Sequence, residues 1–451
     1  MILFAVLFPL FIGYLIICFI YRQSISFLEK IALGFLVGTS FITVQMFAYS
    51  IVGIKFSVLS IILPWCLLLS LIGFADKKVT FGFKDYKQIE ILLVFLILIK
   101  VLYVFFEALI KPVVGFDSLW NFSLRAKIFF FEKTVPLFST HPYFLGAGMK
   151  SYPLHLPLLE AWNYLSMNTW DDVQMKIIFP VYFCALLIIF YQALLREKSR
   201  IQSLFFVFLL SSLPLLAYHA TIEYADFVLG TYFLGAVIYL YEFFKSRDVK
   251  HLFVSSLLAA SCGWIKEEGL ILYLICFLVF FACNRFKSFK NIAVYLAPFF
   301  VFIFPWFVAR RLLGLEFGND TVFEIEKLFY FHQETIGKIL YKIFLTDNWH
   351  LFPIAMVVLL IFYFKDIMST NKKYILACFA LVWGFFMYLY LFTYNAGMVM
   401  SDIILSRNCL VYFPVGLYLI GLTFSITREK QPGIIDNSHP SSKKRTEKYA
   451  K

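Results

Sequence analysis

The chain has 451 residues, of which 61% are apolar, 20% aromatic and only 15% charged, with mean hydropathy +0.82 and a formal net charge of +12. A soluble chain carries roughly 45–50% apolar and about 25% charged residues, so this composition excludes a soluble enzyme and, equally, a disordered chain. Unbroken apolar runs of about 20 residues take the place of the alternating ten-residue strands of a membrane β-barrel, which predicts an all-α polytopic membrane protein.

Apolar runs predict spans at about 2–21, 31–52, 57–75, 89–110, 173–195, 201–218, 226–244, 252–266, 269–283, 291–311, 350–364, 374–393 and 408–427, about 13 in all. The first run lacks a basic leader and a small-residue cleavage site, and Arg22 follows it, so it reads as an uncleaved span with its N-terminus outside. Short basic breaks carry Lys77, Lys78, Lys84 and Lys87; Arg196, Lys198 and Arg200; Lys245, Arg247 and Lys250; Arg285, Lys287 and Lys290; and Lys365, Lys372 and Lys373. All five fall on the cytoplasmic side if 252–283 is a hairpin of two short helices turning at Lys266-Glu267-Glu268-Gly269. This charge pattern argues against a nucleic-acid partner, because the basic residues sit between apolar runs rather than in one patch.

Three segments then face outward: 111–172, 312–349 and 394–407. In the first, Leu119, Trp120, Phe122, Leu124, Ile128, Phe129 and Phe131 predict a short interfacial helix. Phe323, Ile325, Leu328, Phe329, Ile336, Ile339, Leu340 and Ile343 suggest similar helices in the second. The tail, 428–451, reads as basic, disordered and cytoplasmic. Eight cysteines, at 18, 66, 184, 262, 276, 283, 378 and 409, form no C-x-x-C pair and read as small apolar packing residues.

A few polar residues stand out at the outer ends of spans. Asp117, among aromatics, suits a general base or a helix N-cap. Glu223 and Asp226, spaced i, i+3, are placed on one helix face at the same surface, where they fit acid/base work, metal binding or capping. Lys266, in its turn with Glu267 and Glu268, and Arg407, at the head of the last span, are cations suited to phosphate. Lys100 and Glu107 lie seven apart within the fourth span and call for partners or a wet cavity.

At these residues the chain resembles a GT-C superfamily glycosyltransferase, similar to family 39, which includes protein O-mannosyltransferases and the aminoarabinose transferase of lipid A. The resemblance rests on Phe116-Asp117-Ser118, Arg125-Ala126-Lys127, Pro136, the proline-rich helix start SYPLHLPLLEAW at 151–162, Tyr224-Ala225-Asp226, Trp264-Ile265-Lys266-Glu267-Glu268-Gly269 and Arg407 followed by Pro414. It covers about 89–427, leaving 1–88 as an N-terminal three-helix membrane extension. Many members have Asp-Glu at the first acidic site, where this chain has Asp117-Ser118.

The resemblance implies transfer of a sugar from a polyprenyl-phosphate donor to a glycan, lipid or protein acceptor at the outer face of the cell membrane. It implies Asp117 as base, Asp226 with Glu223 in support, and Lys266 and Arg407 on the donor phosphate. Trp120, Arg125, Lys127, Tyr152, His155 and Glu268 are substrate-pocket candidates. No metal ligand set is indicated, and divalent-metal dependence is left open. The competing reading is a transporter or lipid flippase, which would explain Lys100 and Glu107 but predicts internal repeats that the sequence lacks.

Overall fold

The computed structural model describes residues 1–22, 24–71, 86–284, 288–315, 329–349 and 351–424. Lys77, Lys78, Lys84, Arg285, Lys287, Phe323, Ile325, Leu328 and the tail 428–451 lie outside the described residues. Those described form helices and connecting turns with no strand, as an all-helical polytopic membrane protein requires. Among the described residues eight helices are long and apolar enough to cross a bilayer: α1 (Ile2–Tyr21), α2 (Phe27–Val52), α4 (Gln88–Ile110), α7 (Ile178–Leu195, entered through a 3₁₀ turn at Gln174–Ile177), α10 (Ala225–Ser246), α16 (Phe352–Ser369), α17 (Lys372–Phe392) and α19 (Leu405–Thr423).

A ninth crossing is α13 (Phe289–Phe302) with α14 (Phe304–Leu312), bent by 42°. The bend follows from Pro298 and Pro305, which withhold backbone donors on either side of Ile303. Four further apolar helices are shorter: α3 (Val58–Leu71), α8 (Arg200–Ser211), α11 (Val249–Ile265) and α12 (Glu268–Asn284). The run 201–218, read as one span, is broken at Leu213-Pro214, where α8 ends and α9 (Pro214–His219) begins.

α10 is the axis of the bundle, buried along its whole apolar window, with α11 and α19 against it. Segment 1–88 contributes α1 and α2 to this interior. Gly13, Gly34 and Gly38 let the two backbones touch, since a Cβ on any of them would run into the facing chain. A polar string then ties α2 to the rest. Tyr232 donates to the Leu36 carbonyl at 2.6 Å and accepts from Ser40 at 3.0 Å. Tyr182 donates to Thr39 Oγ1 at 3.1 Å, and Trp264 to Thr43 Oγ1 at 3.0 Å. Buried hydroxyls of this kind must be paired, and each pairing fixes the register of one helix against another.

The two ends of the bundle differ. At one end Arg196, between Glu29 (α2) and Glu242 (α10), joins Lys198, Arg200, Lys245, Arg247 and Lys250. The other end holds the turn between α11 and α12, the start of α10, the start of α19 and the wrapped segment after α4. That segment comprises a π-helical turn (Ser118–Phe122), α5 (Ser123–Glu132) and α6 (His155–Met167).

Candidate functional site

Each functional side chain at this end leaves from a helix terminus. Asp117 occupies the cap position of the π-turn, yet its carboxylate caps nothing. It reaches Arg407 instead, with Oδ2 at 2.6 Å from Nη2. Asp226 lies in the first turn of α10, again without a capping bond. Its Oδ2 accepts from Arg407 Nη2 at 2.7 Å and Nε at 3.1 Å, and its Oδ1 from Lys266 Nζ at 2.9 Å. Lys266 is in extended backbone at the end of α11, and Nζ also contacts Glu268 Oε1 at 3.0 Å. Gly269 makes this turn possible: a side chain there would occupy the Cys262 carbonyl.

Burial separates the two aspartates. The Asp226 side chain is 1% exposed and both its oxygens are engaged, so it is an anchor that holds two cations apart. Asp117 is 26% exposed and joined to Arg407 through Oδ2, which leaves it the accessible one of the two aspartates. Arg407 rests on the face of Tyr224, its guanidinium carbon 4.4 Å from the ring centroid. His219 packs edge-on against the same ring at 5.5 Å. Burial draws the His219 imidazole down to about 4, against a smaller upward pull from the Asp226 carboxylate, so it is neutral at physiological pH.

The structure therefore brings Asp117, Asp226, Lys266, Arg407 and Glu268 together. Tyr152 borders them, its ring centroid 6.0 Å from Lys266 Nζ, with burial pushing its phenol up. Glu223 stands apart from Asp226 despite the i, i+3 spacing. Helix α10 begins only at Ala225 and Tyr224 is extended, so Glu223 precedes the helix and faces Lys176 at 3.6 Å.

The other candidates serve the walls. Arg125 is fully buried and donates to the carbonyls of Met149 and of Tyr152 (3.1 Å), folding the 146–152 loop over itself. His155 is fully buried between Thr43 (2.9 Å) and Tyr182 (3.1 Å), inside the polar string. Lys127 lies over Trp170 at 3.6 Å, and Trp120 packs at a tilt against Phe116, 5.9 Å between ring centroids, on the exposed side of the π-turn. Glu107 pairs with Lys111, one helical turn on, and Glu267 with Arg310 at 3.1 Å. Beside that last pair a small cleft opens between Pro153, Gly263, Leu270, Ile303 and Trp306.

Sequence reasoning passed over His219, the Tyr224 ring, Lys176 and Glu160. A histidine six residues before Asp226, in a segment broken by Pro214, was the available signal for His219. Among the described residues no cluster of His, Cys, Asp and Glu has the arrangement of a metal site. No protein-family model, curated protein or solved structure matches this chain.

Proposed function

We propose that this protein is a membrane glycosyltransferase, moving a sugar from a polyprenyl-phosphate donor to a hydroxyl-bearing or lipid-linked acceptor at the outer face of the membrane. The observation that supports it is the meeting of one accessible carboxylate, Asp117, with two cations held by one buried carboxylate, Asp226. Four separate stretches of sequence supply these groups.

In this reading Asp117 takes the proton of the acceptor hydroxyl as its oxygen attacks the anomeric carbon. The bond from that carbon to the phosphate oxygen breaks, and its electron pair leaves on the lipid phosphate. Arg407 and Lys266 neutralise that developing charge, and in-line attack inverts the anomeric centre. Asp226 acts through the cations, fixing their positions before the donor arrives. The short helices α3, α8, α11 and α12 complete thirteen crossings, with the N-terminus outside and the basic end of the bundle cytoplasmic.

The test is incubation of the purified chain with labelled polyprenyl-phosphate sugars and membrane extract. Label should pass to an acceptor with the wild-type protein and not with Asp117→Asn. No transfer from any donor, or undiminished transfer by the variant, overturns the proposal.

A further inference from the structure

Behind the Asp117 turn lies a second group of charges that the proposed transfer does not use. Glu160, on α6, is completely buried, and neither carboxylate oxygen has a hydrogen-bond partner. The hydroxyl of Ser123 is the nearby polar group. One helical turn further, Asn163 Nδ2 donates to the Met175 carbonyl at 3.1 Å, which docks α6 onto the segment bearing Lys176. Asp171 sets that segment by accepting from the backbone of Val173 and Gln174 at 3.0 and 2.9 Å. Lys176 Nζ then donates to the Pro112 carbonyl at 3.2 Å and faces Glu223 Oε1 at 3.6 Å. Ser118, next to Asp117, donates to the Glu223 carbonyl at 3.0 Å.

Two carboxyl groups and one ammonium are thus enclosed together, with Glu160, Glu223 and Lys176 at 0%, 1% and 2% exposure. Lys176 balances one negative charge. A second ionised carboxylate here would be a buried charge with neither solvent nor counter-ion, and such groups neutralise instead. We propose that Glu160, enclosed without a partner behind the Asp117 turn, and Glu223, which alone of the two faces Lys176, form a buried site that binds one proton on the carboxyl pair. The site is independent of the transfer chemistry.

The surrounding groups point the same way. Tyr164 on α6, Glu223 ahead of α10, and Asp172 and Lys176 ahead of α7 are the titratable neighbours, with Lys111 at the end of α4 beyond Lys176. Burial, and then the charge of Glu223, push the Glu160 carboxyl well above the ordinary 4.5, and burial also raises Glu223 against the pull of Lys176. A carboxyl with a raised folded-state pKa stabilises the fold below its unfolded value. That stabilisation is lost as pH rises from about 4.5 through the raised value.

Infrared spectroscopy of the full chain in lipid nanodiscs tests this at neutral pH. Among the described residues the other buried carboxylates, Glu29, Glu90, Asp226 and Glu242, each face an arginine or lysine, so a protonated carboxyl band that Glu160→Gln removes reports this site. The wild-type chain should show that band, and Glu160→Gln, a neutral near-isostere, should abolish it and flatten the fall of melting temperature with rising pH. Lys176→Met should strengthen the band, because Glu223 loses its cation. A wild-type spectrum without the band, or a band unchanged in Glu160→Gln, overturns the proposal.

Discussion

Asp117 and Asp226 meet at a single nitrogen: Nη2 of Arg407 lies 2.6 Å from one carboxylate and 2.7 Å from the other. One side chain on α19 thus joins the start of the π-turn to the start of α10. The two aspartates are unequal, since one is solvent-accessible and the other enclosed.

That inequality predicts different failures. Asp117→Asn should keep its melting temperature while transfer falls by about 10²–10⁴-fold, the usual worth of a general base. Asp226→Asn removes the buried carboxylate between the two cations, leaving Lys266 to Glu268 and Arg407 to Asp117 alone, and should cost about 3–5 kcal/mol of stability, visible as a large drop in melting temperature. Equal thermal shifts in the two variants would contradict the assignment.

Arg407→Lys retains the charge but not the fork across two carboxylates, nor the flat contact on Tyr224. Each charged hydrogen bond lost is worth about 1.5–3 kcal/mol. Donor binding, measured by titration with labelled polyprenyl phosphate, should weaken by roughly tenfold or more by that arithmetic.

Glu268 competes with an incoming phosphate for Lys266, to which it is bonded at 3.0 Å. Glu268→Gln should therefore tighten donor binding several-fold rather than weaken it. An unchanged or weaker affinity in the same titration would show that Glu268 contacts the donor directly.

His219 links the site to pH. Its folded-state value is about 4 against an ordinary 6.5, so the unfolded chain takes up a proton first as pH falls. Stability from this residue is complete above 6.5 and is lost as pH falls toward about 4, by at most about 1.4 kcal/mol per pH unit. Melting curves across that window should flatten in His219→Phe; an unaltered slope would assign the acid sensitivity elsewhere.

Gly269→Ala tests the turn itself. The new methyl lands on the Cys262 carbonyl, so α11 and α12 must part, at about 1–3 kcal/mol. Lys266 moves with them, and donor binding should fall together with melting temperature.

Much of this site was legible from position alone. Asp117, Asp226, Lys266 and Arg407 each stand at the end of an apolar run, where a charge is tolerated, and charge bias placed those ends on one side. Their partners were not legible. Arg407 and Asp226 are 181 residues apart, and no local pattern encodes that pairing. The π-turn has no compositional mark, and Glu223 was misplaced because spacing implies a shared face only where a helix has already begun. Glu160 and His155 were hidden for a related reason. The proline-rich helix start SYPLHLPLLEAW marks His155 only as a pocket candidate and leaves Glu160 unmarked, whereas every residue of α6 is buried.

The hairpin of α1 and α2 sets the register of helices beyond segment 1–88. Its glycine seam holds the two backbones in contact, and it presents the Ala5 and Leu36 carbonyls, Thr39 and Thr43 as fixed hydrogen-bonding posts. Trp162, Tyr182, Tyr232 and Trp264 each donate a hydrogen bond to one of those posts. The hairpin is thus a polar template against which helices that carry the site are registered, and a chain lacking residues 1–88 lacks those posts.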